Sequence, residues 1–408
     1  MKQLVDSLAI FGGAPLFAEP RPIGQLAAPP VDEYLALLKQ AFELRWLANG
    51  GPMVLGLERR LAEFHDTRHC IAVANAGLGI MMLLRLFAGN RSGEVIMPAF
   101  SFRGLPHFAR WAGQQPRFCE VSVDTHTLDP RAVSEAIDSN VRAILAVCNC
   151  HSPGDIDGLS RVAAAQGIPI LFDSVYAQGA TYRGQVLGGF GAAEVYSLHA
   201  TKLLNGFEGG YITTNNDDLA ARLRWQREFC LPSIRPAGVA ENENILGINA
   251  KLNELHAAMA LLSLDHFDDI VAGNQQRFEA YAEVCSRLPG LRLVTAPETG
   301  ERRNYALMIA ETTPPWPLSR DQTVAILRAE GAAISPYYSP ALHRSNQDSR
   351  NLPMPELPVT NALASRFLQL PGGELVSLDD VRAIGRLLEF LVENGTVVAS
   401  RLLERGIV

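Results

Sequence analysis

The chain has 408 residues, 48% of them hydrophobic, and a formal net charge of −7. That length suits a large domain plus a smaller one. The mild charge lies in no long block of either sign, which argues against a nucleic-acid or polyanion partner. Six cysteines are too sparse for a disulfide framework, so reduced thiols and a cytoplasmic location are expected. The N-terminus carries one lysine before a short apolar run and no cleavage-site pattern, so no signal peptide is expected. No apolar run reaches about 18 residues, so no membrane span is expected either.

In chain order, short apolar runs read as strands at Cys70–Ala74, Glu94–Ala99, Arg117–Ser122, Ala143–Cys148, Pro169–Ser174, Glu194–His199 and Gly209–Thr214. Helical patterns separate most of them, at Gly79–Phe87, Gly104–Trp111, Asp129–Ile137 and Leu159–Ala165. This alternation predicts a mostly parallel sheet covered on both faces. The link between the last two strands is too short for a covering helix, so one antiparallel strand is expected. Helices follow at Asp217–Glu228, Leu252–Leu264 and Asp268–Arg287, the last joining the large domain to a C-terminal one. That region carries helical patterns at Arg320–Glu330, Asn361–Leu368 and Leu378–Val392. The expected division is an N-terminal segment 1–35, a large domain 36–265, and a linking helix with a small domain 266–408.

Open parallel sheets place their sites at the carboxyl ends of the strands. Here those ends carry Asp173, then Ser197, His199 and Lys202, and also Phe100 and Phe102. An acid at one strand end and a lysine after another suit pyridoxal phosphate (PLP). That cofactor needs an amine for its aldehyde, a carboxylate for its ring nitrogen, a flat partner for the ring and donors for its phosphate. Taken singly, Asp173 reads better as a loop cap and Lys202 as a surface lysine, because single Asp and Lys residues are common. His199 reads as structural, positioning the lysine turn. His107, Phe108 and Trp111 read as helix packing. Cys148, Cys150 and His151 read as a buried strand end rather than half a metal site, because no second pair with zinc spacing follows.

The segment from Leu171 to Arg224, containing LFDS, HATK and EGG, resembles the core of the nucleotide-sugar aminotransferases known as the DegT/DnrJ/EryC1/StrS group. Similar matches are LANGGPMVLGLERRLAEFHDTRHCIAVANAG, PAFSFRG, LGINAKLNELHAAMALL and ISPYYSPALHR. The resemblance implies the fold-type-I PLP-dependent transferase architecture: a mixed, mainly parallel seven-stranded sheet with a smaller C-terminal α+β domain. It implies that Lys202 condenses with the cofactor aldehyde and moves the proton, that Asp173 binds the ring nitrogen, and that Phe102 stacks on the ring. It further implies that Ser197 and the backbone of Asn75, Ala76 and Gly77 bind the phosphate at a helix N-terminus, with Tyr176 beside the cofactor. Asn249 is implied to reach the site of a neighbouring subunit in a homodimer. Tyr337, Tyr338 and His343 are candidates for the substrate side.

The sequence departs from the family pattern at several points. Gly77 stands where threonine is usual, Glu228 where asparagine is usual, Tyr176 in place of His or Gln, Cys148 in place of His, and Arg103 in place of a small residue. The expectation from sequence is that Gly77→Thr and Glu228→Asn each tighten cofactor binding. The first functional reading is a transaminase that passes an amino group from glutamate or glutamine, through pyridoxamine phosphate, to a keto-sugar or related cyclic ketone in antibiotic or polysaccharide biosynthesis. Two other readings stay open at this stage: the same cofactor turned to elimination, decarboxylation or substitution, and a regulatory homologue without turnover.

Overall fold

In a computed structural model, which describes residues 2–240, 245–295, 301–345 and 355–407, seven strands form the central sheet. They are β1 (His69–Val73), β2 (Glu94–Pro98), β3 (Gln115–Cys119), β4 (Val141–Val147), β5 (Ile170–Asp173), β6 (Ala193–Ser197) and β7 (Gly210–Thr214), in the order β1-β7-β6-β5-β4-β2-β3. β7 alone runs antiparallel, pairing with β1 and β6. The other neighbours are parallel. Each predicted strand is therefore present, within two or three residues at its ends. Helices cover both faces, which is why most of the strands are buried along their length rather than alternating; the edge strand β3, with Gln115 exposed, is the exception. Ile71, Val73, Val95, Met97, Leu145, Leu171, Val195 and Ile212 belong to one apolar cluster. Ile96, Ile144, Ala146, Ile170 and Phe172 belong to another. Each such side chain contributes about 1.5–3 kcal/mol on full burial.

The helices begin where the sequence supplies caps. Asn75 accepts from the Leu78 N–H, Asp155 from Gly158, Asn216 from Leu219 and Asn253 from His256. Such a cap satisfies one of the donors that no intrahelical carbonyl can reach. The helix Pro52–Phe64 starts instead at Gly51, which has no capping side chain. The buried carboxylate of Glu254 substitutes, accepting from the Met53 and Val54 N–H groups.

The second sheet is antiparallel, in the order β8 (Leu291–Leu293), β9 (Met308–Thr312), β11 (Phe367–Leu370), β10 (Ser335–Pro336). Two sequence expectations need correction here. The pattern at Asn361–Leu368 is a helix only to Arg366, after which Phe367 turns into β11 and pairs with Glu311. The helix starting at Leu378 does not stop near Val392 but continues to Glu404. Val398 and Leu402 sustain its buried stripe. The N-terminal residues Leu8, Phe11 and Phe17 pack in this second core, and Phe17 and Arg21 donate backbone bonds to Glu330 and Gly331. Among the described residues, no helix is long and apolar enough to cross a membrane.

Candidate active site

The carboxyl ends of β1, β5 and β6 converge. Asp173 closes β5 and is 3% exposed. One of its oxygens accepts from the Val175 N–H at 3.2 Å. Burial pushes its carboxyl up to about 6, against the opposing pull of the Val175 N–H and the Lys202 charge. This acid is thus under-compensated in the protein alone and favours a cationic partner. Lys202 is half-buried, and its Nζ lies 3.7 Å from the centroid of the Tyr176 ring, where the π-face attracts an ammonium.

The turn that carries Lys202 is fixed from several sides. The Lys202 N–H donates to the His199 carbonyl at 2.8 Å. His199 Nδ1 lies 2.8 Å from Thr201 Oγ1, and its Nε2 is 3.6 Å from Glu208. His199 therefore braces the turn, as its sequence position suggested. Beyond it, the Leu204 N–H donates to Gln178 Oε1 and the Asn205 N–H to Ser263 Oγ.

Ser197, Gly210 and Val73 lie in one row of the sheet. A Cβ at Gly210 would sit 2.5 Å from the Ala76 nitrogen, so only glycine lets the strand approach the N-terminus of the helix Ala76–Ala88. Asn75 caps that helix, while the amides of Ala76 and Gly77 have no intrahelical carbonyl to reach. Ser197 Oγ accepts from the His199 N–H at 3.2 Å. The row therefore gathers two amides, a hydroxyl and a helix N-terminus, a combination suited to an anion.

Phe102 follows β2 and is 51% exposed. Its ring edge lies 2.4 Å from where a Cβ would stand on Gly104, with Phe108 at 3.0 Å from the same point. Phe108 also reaches within 2.7 Å of a Cβ placed on Gly77. A threonine at position 77 would meet that ring, which must shift for the side chain to enter, so the structure gives no support to the expectation that Gly77→Thr tightens cofactor binding. Trp111, read from sequence as helix packing, is instead 83% exposed. Tyr337 and Tyr338 lie with ring centroids 3.9 Å apart, tilted by 32°, and meet Phe100 edge-on. Tyr338 lies close enough to Asp173 and Tyr176 for their charges to raise its pKa further, beyond the larger effect of burial. His343 lies apart from this group, buried in a short turn whose Leu342 N–H bonds the Ala99 carbonyl at the end of β2.

Glu228 does not stand alone. Arg227 Nη2 is 3.5 Å from its carboxylate, although Arg227 binds Glu58 more closely, at 2.6 Å. Glu228 forms a backbone bridge with Asn249. The neighbouring Ala250 accepts from the Ala74 N–H at 2.7 Å, so this segment flanks the anion-suited loop. Asn249 is exposed in the single chain. Cys148 is buried, its N–H donating to the Asp173 carbonyl, and all six cysteines are unpaired. The described residues contain no cluster of metal-ligating side chains. Sequence reasoning missed Phe108 as a neighbour of the loop; Gly209 and Gly210 of the EGG motif read from sequence as allowing close backbone approach, and Gly210 does so.

A family model described as the DegT/DnrJ/EryC1/StrS aminotransferase family matches residues 31–389. A dTDP-4-amino-4,6-dideoxy-D-glucose transaminase of Escherichia coli is 26% identical over 366 residues, covering 86% of this chain and 93% of that protein. The solved structure of DesI in the presence of its TDP-sugar product superposes with a TM-score of 0.91 at 34% identity, covering 98% of this chain and 99% of that one. The DesV structure from S. venezuelae gives a TM-score of 0.76 at 27% identity, covering 88% and 95%.

Proposed function

Because this chain belongs to the DegT/DnrJ/EryC1/StrS aminotransferase family, we propose that it is a PLP-dependent transaminase acting on a nucleotide-linked keto-sugar, with Lys202 and Asp173 as its catalytic pair. The observation that carries the reading is the buried, under-compensated Asp173 carboxylate beside an amine held over Tyr176. A cationic ring nitrogen supplies the partner that Asp173 lacks. When bound, PLP supplies an electron sink that stabilises negative charge on the carbon bearing the migrating amino group.

The residues present fit that cofactor. Asp173 would hold the ring nitrogen protonated. Phe102 would lie against the ring, and Ser197 with the Ala76 and Gly77 amides would take the phosphate. Lys202 would hold the cofactor's aldehyde and would carry the migrating proton at Nζ. Tyr176 keeps that amine on one side of the site, and Tyr338 narrows the space near Asp173. In this reading Tyr337 and Tyr338 form the small-domain wall toward the substrate, while His343, buried apart from them, does not join it.

The substrate class follows the relatives, one of which is named dTDP-4-amino-4,6-dideoxy-D-glucose transaminase and another of which was solved in the presence of its TDP-sugar product. Glutamate or glutamine is the proposed amino donor, and antibiotic or surface-polysaccharide biosynthesis the proposed context. The six unpaired cysteines suit a reducing cytoplasm. We further propose a homodimer in which Asn249 serves the partner's site. Its support is the exposure of Asn249 together with large apolar residues left at least 40% exposed: Leu35, Phe42, Trp46, Leu47, Leu55 and Phe229.

The test is product mass spectrometry. Incubation with PLP, glutamate and dTDP-4-keto-6-deoxy-D-glucose, alongside a panel of other nucleotide-linked ketones, should yield one amino-sugar and 2-oxoglutarate. Turnover of none of the panel, with no change in the cofactor spectrum on adding glutamate or glutamine, would count against the reading.

A further inference from the structure

Residues 21–27 run as a strap between the two sheets' domains. On one side, the Gln25 and Leu26 N–H groups donate to the Thr201 and Ala200 carbonyls, both at 3.2 Å, immediately before Lys202. Asn205, on the far side of that turn, donates to the Ala27 carbonyl at 2.6 Å. On the other side, Gly372 donates to the Pro22 carbonyl and Glu374 to the Gln25 carbonyl. The contacts are close: a Cβ on Gly24 would meet Thr201 at 2.9 Å, and one on Gly373 would meet the Gly24 oxygen at 2.1 Å. Leu26 adopts φ +50°, a conformation that a leucine keeps only where its surroundings hold it.

What holds the strap is Gln25, which is 2% exposed. Its Nε2 donates to the Ala306 carbonyl at 3.0 Å, and its Oε1 accepts from Asn274 Nδ2 at 2.8 Å. Asn274 is fully buried on the helix Phe267–Ser286. With its backbone N–H and carbonyl included, Gln25 joins four elements: the lysine turn, the Gly372–Glu374 turn, the segment leading into β9, and the long linking helix. A buried amide with each of these groups paired specifies one geometry, because any shift leaves a polar group unpaired.

We infer that Gln25 is a positioning residue that transmits the placement of the small domain to the turn carrying Lys202. This rests on the reading of Lys202 as the cofactor lysine. A shift of the strap would move the amine relative to Asp173 and Tyr176, so the protonation behaviour of the bound cofactor should report it.

The experiment uses the whole PLP-loaded protein and follows the cofactor's visible absorption against pH, without substrate. Gln25→Ala and the milder Gln25→Asn should each move the titration midpoint by about half a pH unit or more, the scale of one lost hydrogen bond. The reciprocal exchange Gln25→Asn with Asn274→Gln, which keeps the combined reach of the pair, should return it toward wild type. If Gln25→Ala does not fold, the other two variants carry the comparison. Unchanged midpoints in folded variants, even with a lower melting temperature, would reduce Gln25 to a structural residue and overturn the inference. A wild-type protein whose cofactor is not fixed on Lys202 by borohydride would overturn the cofactor reading first, and this inference with it.

Discussion

At the residue scale the site turns on what burial does to Asp173. Its folded-state pKa of about 6 lies above the ordinary 3.8. A raised carboxyl binds its proton more tightly folded than unfolded, so the folded protein loses stability as pH rises through that interval. In the cofactor-free protein, Asp173→Asn should therefore be more stable than wild type by roughly 3 kcal/mol at pH 7, with the gap closing as pH falls toward 4. Denaturant titrations across pH check this, and a gap that widens toward acid would show that Asp173 is compensated by another group. The same variant should retain its fold yet turn over slowly, having lost the charge that holds the ring nitrogen protonated. Gly77 obeys steric rather than electrostatic logic. With Phe108 only 2.7 Å from the missing Cβ, Gly77→Thr should destabilise the protein by about 1–3 kcal/mol through overpacking and weaken PLP binding. Adding Phe108→Ala should recover part of that affinity. Tighter binding in the single variant would mean that the ring moves aside without cost.

At the element scale, the two domains are tied by groups at strand and helix ends. Glu120, just after β3, accepts from the Val359 and Thr360 N–H groups and from Thr360 Oγ1, so it caps the helix Pro358–Arg366 from across the domain boundary. Glu120→Ala should cost about 2 kcal/mol, because it leaves two first-turn amides without an acceptor. A drop in melting temperature with faster proteolysis near that helix would register it; unchanged stability and protection would mean that water replaces the carboxylate. This cap was not readable in the sequence, since it joins positions about 240 residues apart. The seven central strands were readable because most are largely apolar runs that alternate with helical patterns. The boundaries at Arg366 and Glu404 were not. Phe367 and Leu368 fit a helical stripe as well as a strand, and only pairing with β9 decides between them. Within the site, Asp173 and Lys202 were legible from their places after strands and from the surrounding motif. The Phe108 ring against Gly77 depended on how one helix leans on another, which no local pattern encodes. The N-terminal strap was equally hidden, because its main-chain bonds and those of the Gln25 side chain all reach segments distant in sequence.

At the scale of the whole molecule, Val31, Leu35, Phe42 and Leu44 of the helix Val31–Leu44, with Trp46, Leu47 and Phe229, remain open to solvent in a single chain. A two-fold dimer would cover such a surface, since two-fold closure is the commonest way to bury a self-complementary patch. Sedimentation should show a dimer at micromolar concentration, and Phe42→Glu with Trp46→Glu should dissociate it and lower activity together. An active monomer would separate the site from assembly. The central claim, that one lysine at a strand end anchors the cofactor, is open to a single direct measurement. The purified protein is incubated with PLP, reduced with borohydride, digested and sequenced by mass spectrometry. The account predicts one phosphopyridoxyl adduct, on Lys202, and its loss in Lys202→Ala. An adduct on another lysine, or none in protein that has taken up the cofactor, would contradict it.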